Sequence, residues 1–167
     1  MSRNEILFSA GLIFFLVSAW HYQNYKIKYI LQDGIKTTAL ITKAGTNITA
    51  SFKANNLLYD DVLVKPYSNL FPSESYTIAY DAEDPKSAVI LFWQPVFDKQ
   101  QYVMTAANKV HKLFRGWGNE TIAFEYEAFG ETYTRYQELI PDKKFTAKQK
   151  VKVFYKNSNP RIAYVEY

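Results

Sequence analysis

The sequence predicts a mainly β protein: an N-terminal transmembrane helix followed by two duplicated five-stranded β-units, each a small barrel or a curled sheet. Three observations carry this expectation. An uncharged apolar run opens the chain at residues 6–20. The second half repeats the first: Tyr76-Thr-Ile-Ala-Tyr80, a polar turn with Pro85 and the run to Ile90 reappear as Val151-Lys-Val-Phe-Tyr155, a polar turn with Pro160 and the run to Val165. Aromatic residues make up 17% of the 167 residues, which favours strands over helices. The expected division is residues 1–33 as anchor helix and extension, 34–95 as the first β-unit, and 96–167 as linker and second unit.

The apolar run from Ile6 to Trp20 would cover about 23 Å as a helix, and residues 6–25 would cover about 30 Å, the thickness of a bilayer core. Trp20, Tyr22 and Tyr25 then fall where amphipathic rings favour the membrane interface. A retained anchor is the preferred reading. Val17-Ser-Ala19 also fits the small-residue rule of a cleaved signal peptide, and a buried core helix is the third reading. Gln23 to Leu31 continues with helical spacing of apolar residues, and Gly34 is placed to end the helix.

In the first unit, strands are expected at 35–43, 47–53, 57–64, 76–80 and 87–93. Asn55-Asn56 marks a hairpin between the second and third. In the second unit they are expected at 109–114, 121–127, 132–139, 150–155 and 161–166, with a turn at Phe129-Gly130. The upstream match extends from Asn47-Ile-Thr-Ala-Ser-Phe against Thr121-Ile-Ala-Phe-Glu-Tyr to Tyr59 against Tyr133. Phe97 to Asn108, between the copies, reads as helix.

These residues resemble the bacterial domain of unknown function 3592 family. The resemblance rests on Gly34, Thr37, Ala39, Ile41, Tyr59, Tyr80 and Pro85, with Tyr133, Tyr155 and Pro160 in the second copy. Pro72-Ser73 and Ala147-Lys148 stand where that family carries a Gly-Asp turn, and Ala107 stands where it carries the opening glycine. The resemblance implies a small membrane-anchored protein with a compact β-domain and no established activity.

Cysteine is absent, which excludes disulfides and thiolate chemistry. The two histidines, His21 and His111, have no second ligand at metal spacing, so neither a metal nor a cofactor is expected. Asp60-Asp61 and Glu125 with Glu127 are paired carboxylates, but the second pair shares one strand face, as solvent-facing residues do. No nucleophile elbow or phosphate loop is present, and no enzyme is expected.

Charge is uneven. Residues 34–95 hold five lysines against six carboxylates, whereas residues 96–167 hold twelve Lys or Arg against eight carboxylates. Lys109, Lys112, Arg115 and Trp117 combine cations with an aromatic ring and form the candidate partner-binding face. The lysines at 143, 144, 148, 150 and 152 read as a solvated loop and strand edge. The expected function is a membrane-anchored, non-catalytic protein-interaction module, such as a bacterial immunity protein or an accessory subunit of an envelope complex. The alternative is a β-barrel sensor of a small anionic ligand. Its partners would be an unidentified protein and, through residues 6–25, the lipid bilayer; no nucleic acid is expected. The setting would be the bacterial inner membrane, single-pass, with the β-region extracytoplasmic.

Overall fold

The computed structural model describes residues 3–64, 70–113, 120–141, 143–146 and 151–166, except for the side chains of residues 3–7 and 10. It is mainly β, with one N-terminal helix and three antiparallel sheets. Helix α1 (Arg3–Asp33) is 31 residues long, about 46 Å at the usual helical rise. The side chains of residues 6, 7 and 10 of the apolar run lie outside the described ones, and among the described residues no helix is long and apolar enough to cross a membrane.

Among the described residues, helix α1 meets the β-body near its C-terminal end. Ile30 is buried there, and Lys26 Nζ donates to Ser87 Oγ at 2.6 Å with Asp84 Oδ2 3.5 Å away. Gly34 N–H donates to Ile30 O at 3.0 Å and closes the last turn. A Cβ on Gly34 would stand 2.4 Å from Ile30 O and 3.0 Å from Tyr80 O, both backbone atoms. Glycine is needed here for close approach of the helix to the sheet. Gly34→Ala is therefore expected to cost about 1–3 kcal/mol of stability, the usual range for forced overpacking, read as a lowered thermal midpoint.

Five strands form the first sheet in the order β3-β2-β1-β4-β5: β1 (Ile35–Lys43), β2 (Ile48–Ala54), β3 (Leu57–Val64), β4 (Ser75–Tyr80) and β5 (Ala88–Pro95). The central strand β1 pairs with β4 through Ile35–Leu40 and with β2 through Ala39–Lys43. A strand that changes partner along its length curls its sheet. The edge strands β3 and β5 consequently approach to within 8 Å between Cα atoms.

In the second half the central role is split between two strands. A 3-10 turn (Lys99–Gln101) leads into β6 (Tyr102–Ala106), which pairs with β10 (Lys152–Lys156). β7 (Lys109–Leu113) pairs instead with β8 (Thr121–Ala128). Only Ala107 and Asn108 separate β6 from β7: Ala107 N–H donates to Val151 O at 3.1 Å and Asn108 N–H to Glu125 O at 2.8 Å. With β9 (Glu131–Glu138) and β11 (Asn159–Glu166), the sheets run β7-β8-β9 and β11-β10-β6. Followed through the β6–β7 step, the pairing order β9-β8-β7/β6-β10-β11 is that of the first sheet. The Gln137 side chain bridges the gap between β9 and β11: its Oε1 accepts from Val165 N–H at 2.9 Å and its Nε2 donates to Val165 O at 3.3 Å.

Three corrections to the sequence reading follow. Among the described residues none of the three sheets closes, so the small barrel gives way to open, curled sheets. Residues 97–108 do not form a helix beyond the 3-10 turn, because Tyr102-Val-Met-Thr completes the ladder with β10 and tertiary pairing outweighs a short helical tendency. Pro160 also lies inside β11, at a sheet edge where its missing N–H is tolerated.

Both halves use a two-residue hairpin with positive φ at both central residues: Asn55 and Asn56 at 51° and 63°, Phe129 and Gly130 at 53° and 81°. That geometry matches the strand twist. Each core holds an aromatic triad. Phe52 packs 5.7 Å from Tyr59 and 5.6 Å from Tyr80; Tyr126 packs 5.8 Å from Tyr133 and 6.0 Å from Tyr155. The halves share β11. Its Ile162 and Tyr164 enter the core of the first sheet, while Ala163 and Val165 face the core of the second half. A strand's period of two thus serves two cores at once.

Candidate functional surfaces

Three regions could carry function: the exposed helix, the strand edge singled out from sequence, and the junction of the halves. On α1, every residue from Gly11 to Gln23 is solvent-exposed, including Leu12, Ile13, Phe14, Phe15, Leu16, Val17 and Trp20. Phe8 and Phe14 are 76% and 75% exposed. An apolar stripe facing a core would be covered along one face, and this helix is uncovered all round. Trp20 makes an edge contact with His21 at 5.0 Å, and Tyr22 and Tyr25 point outward on the next turns. Trp20, Tyr22 and Tyr25, the residues expected at a membrane interface, therefore lie on one exposed stretch of helix at the end of the apolar run nearer the β-body.

The candidate partner-binding face is only partly described. Lys109 and Lys112 are exposed on β7, an edge strand, but Lys109 Nζ lies 3.1 Å from Glu125 Oε2 and Lys112 Nζ 2.6 Å from Glu120 Oε2. Glu125 lies opposite Lys109 in the β7–β8 ladder, and Glu120 stands just before β8, so each of these two cations has a carboxylate beside it. Arg115 and Trp117 lie outside the described residues.

The paired carboxylates are likewise engaged. Asp60 and Asp61 form a bulge opposite Ser51, where Ser51 Oγ donates to Asp60 and Thr49 Oγ1 donates to Asp61 Oδ1 at 3.1 Å. Glu127 accepts from Asn108 Nδ2 at 3.2 Å, beside the Lys109–Glu125 pair. His111 stands on β7, and among the described residues no group of His, Asp or Glu could hold a metal ion.

Sequence reasoning passed over the junction. Phe71-Pro72-Ser73-Glu74 makes a turn with Ser73 at φ 75° and Glu74 N–H donating to Phe71 O at 3.3 Å, which aims the Glu74 side chain inward. Glu74 Oε1 accepts from Arg135 Nη2 at 2.7 Å, and Tyr76 Oη donates to Glu74 Oε2 at 2.6 Å. The guanidinium sits 5.1 Å over the Phe71 ring. The two charged side chains are 0% and 3% exposed, so the pair bridges the halves without access to a substrate. Burial pushes the Glu74 carboxyl above its ordinary value, although Arg135 and the Tyr76 hydroxyl pull it down. Burial, then the Glu74 charge, pushes the Tyr76 hydroxyl well up. One sequence signal pointed here: Arg135 and Gln137 share strand parity with Tyr133, which places polar side chains on the core-facing side of β9.

No family model matches the chain, and no curated protein or solved structure does. The functional reading therefore rests on the molecule itself.

Proposed function

We propose that the chain is a single-pass membrane protein whose α1 lies in the bilayer and carries a non-catalytic, duplicated β-module that docks a protein partner. The observation that carries this is the unbroken exposure of the apolar helix from Gly11 to Gln23. In water that surface would be a contiguous apolar patch of a kind monomeric proteins rarely leave open. In a bilayer it is solvated by lipid, with Trp20, Tyr22 and Tyr25 at headgroup level.

The duplication reading draws on the common pairing order, the two equivalent hairpins and the two aromatic triads. It agrees with the resemblance to the domain of unknown function 3592 family. Aromatic side chains fill the interior of both curled units, which favours docking on the outside over a ligand enclosed within. The buried Glu74–Arg135 pair acts as a fastener between the units. We place the β-module on the extracytoplasmic side of a bacterial inner membrane, the setting of an immunity protein or an accessory subunit.

Charging the helix centre tests the anchor. Each Lys at mid-bilayer opposes insertion by about 2.5–3.5 kcal/mol. The double variant Phe14→Lys, Leu16→Lys is expected to move the protein from the membrane pellet to the soluble fraction with its aromatic circular dichroism intact. Wild-type protein already soluble, or a variant still in the pellet, would contradict the reading.

A further inference from the structure

The outer face of the first sheet exposes large apolar residues. Leu40 on β1 and Leu58 and Leu63 on β3 are open to solvent, the last two at 64% and 66% exposure, while Ala39, Ile41, Val62 and Val64 beside them are buried in the core.

Charged groups stand among these leucines. Lys53 on β2 is exposed and lies opposite Leu58 in the ladder, and Asp60 and Asp61 follow at the bulge in β3. Ser51 Oγ donates to Asp60, and the Oγ1 atoms of Thr42 and Thr49 lie 3.3 and 3.1 Å from Asp61 Oδ1 as donors. These hydroxyls fix the two carboxylates on the outer face and bring no positive charge. Among the described residues no ion pair includes Asp60, Asp61 or Lys53.

The second half treats the same face differently. Counted from the hairpins, Leu58 opposite Lys53 corresponds to Thr132 opposite Glu127, and Leu40 opposite Ser51 corresponds to Lys109 opposite Glu125. There Lys109 pairs with Glu125, and Glu127 accepts from Asn108. The strand pairing therefore does not require leucine at positions 40 and 58, and it can match the charges of this face within the chain.

The arrangement on the first sheet is self-complementary. Lys53 lies about 5 Å from Leu58 across the ladder, and Asp60 about 7 Å from it along the strand. A two-fold axis through Leu58 that bisects those two directions sets Leu58 of one copy on Leu58 of a second. It also lays Lys53 of each copy over Asp60 of the other. The strands of the two sheets then cross near a right angle, one of the two usual ways in which sheets pack face to face. Joining two β3 edges about a two-fold between Asp60 and Asp61 would instead set these carboxylates against each other, which disfavours edge pairing.

We propose that this face is the interface of a two-fold homodimer, with Leu58 at the axis and Lys53 of each copy paired with Asp60 of the other. A two-fold interface presents one patch to itself, so charges of both signs beside an exposed leucine select a second copy of this chain. The interface lies on the β-module and is independent of whether α1 spans a bilayer.

The chain has no cysteine, so an introduced thiol reports a single position. The test is crosslinking by a short bismaleimide in membranes of cells expressing the full chain, comparing Leu58→Cys with Met104→Cys, an exposed position on β6. Leu58→Cys should give at least tenfold more dimer. Adding Lys53→Asp or Asp60→Lys to Leu58→Cys should each reduce the dimer at least fivefold, with the thermal midpoint of the purified chain retained. Co-expressing these two charge variants under different tags should restore it as the mixed dimer. Lys53→Asp breaks no ion pair within the described chain, so it reads the contact even where Asp60→Lys fails to fold. Equal crosslinking at the two thiol positions, as a dimer held by α1 alone would give, would overturn the proposal. So would dimer unaffected by Lys53→Asp, folded charge variants that do not recover together, or an adduct with a different protein in place of the dimer. Recovery of the chain in the soluble fraction would count against the anchor alone, and the same crosslinking in solution would decide the interface.

Discussion

Replacing Arg135 by Met is expected to destabilise the protein by about 3–5 kcal/mol, the usual cost of removing one partner from a buried ion pair. The substitution leaves Glu74 with no cation in a desolvated site whose side chain is 0% exposed. Its carboxyl is already pushed above 4.5 by burial, and losing Arg135 removes the strongest effect that lowers it. A carboxyl with a raised folded-state pKa binds its proton more tightly in the folded chain. Its contribution is therefore fully present below about pH 4.5 and is lost as pH rises through the folded value. The gap between wild type and Arg135→Met should accordingly be smallest in acid and widen towards neutral pH. The triple variant Glu74→Leu, Tyr76→Phe, Arg135→Met removes the charges together with the hydroxyl that donates to Glu74. It should recover most of the loss, because the pair's Coulomb energy is largely offset by the cost of desolvating it. Urea unfolding at several pH values reads both results, and equal deficits at all pH values would rule out the unpaired carboxyl as the cause.

The second large effect is expected at Tyr164, which is 1% exposed in the last strand yet sits in the core of the first sheet. Its ring lies 5.9 Å from Tyr76, 5.1 Å from Phe97 and 5.8 Å from Tyr102. Tyr164→Ala should cost about 3–5 kcal/mol, the range for deleting a buried aromatic side chain. The informative readout is where the loss falls. Amide exchange should accelerate in β1 and β4, more than 80 residues earlier in the chain, because Tyr164 contacts Tyr76 on β4. Exchange that changes only in β10 and β11 would show that the halves are independent units.

The strands were legible because their boundaries carry local chemistry. β1 and β3 fall at the residues expected, between Gly34 and Gly45 and after Asn55-Asn56, whose side chains tolerate the positive φ that the hairpin requires. The repeat aligns Phe52 with Tyr126 and Tyr59 with Tyr133, and in the structure Phe52 packs on Tyr59 as Tyr126 packs on Tyr133. β6 was missed because Phe97 to Asn108 carries no turn signal before Tyr102 and its pairing depends on β10, about fifty residues later. The Glu74–Arg135 contact joins residues 61 apart in sequence, and no spacing rule connects them. The ion pairs at the basic face were hidden for a related reason. Composition counts Lys109 and Lys112 as positive, whereas strand register sets each within reach of a carboxylate. A groove of about 340 Å³ combines Trp93, Phe97 and Ile140, from segments that are brought together only when the halves pack.

The exposed helix is the centre of the functional account, and alkaline carbonate extraction of native membranes tests it most directly. Carbonate strips proteins held by surface charge or by other proteins and leaves bilayer-spanning helices in place. The account predicts that the chain, detected through a C-terminal tag, stays in the carbonate-washed pellet and is released only by detergent. Recovery of the intact chain in the carbonate supernatant would contradict it.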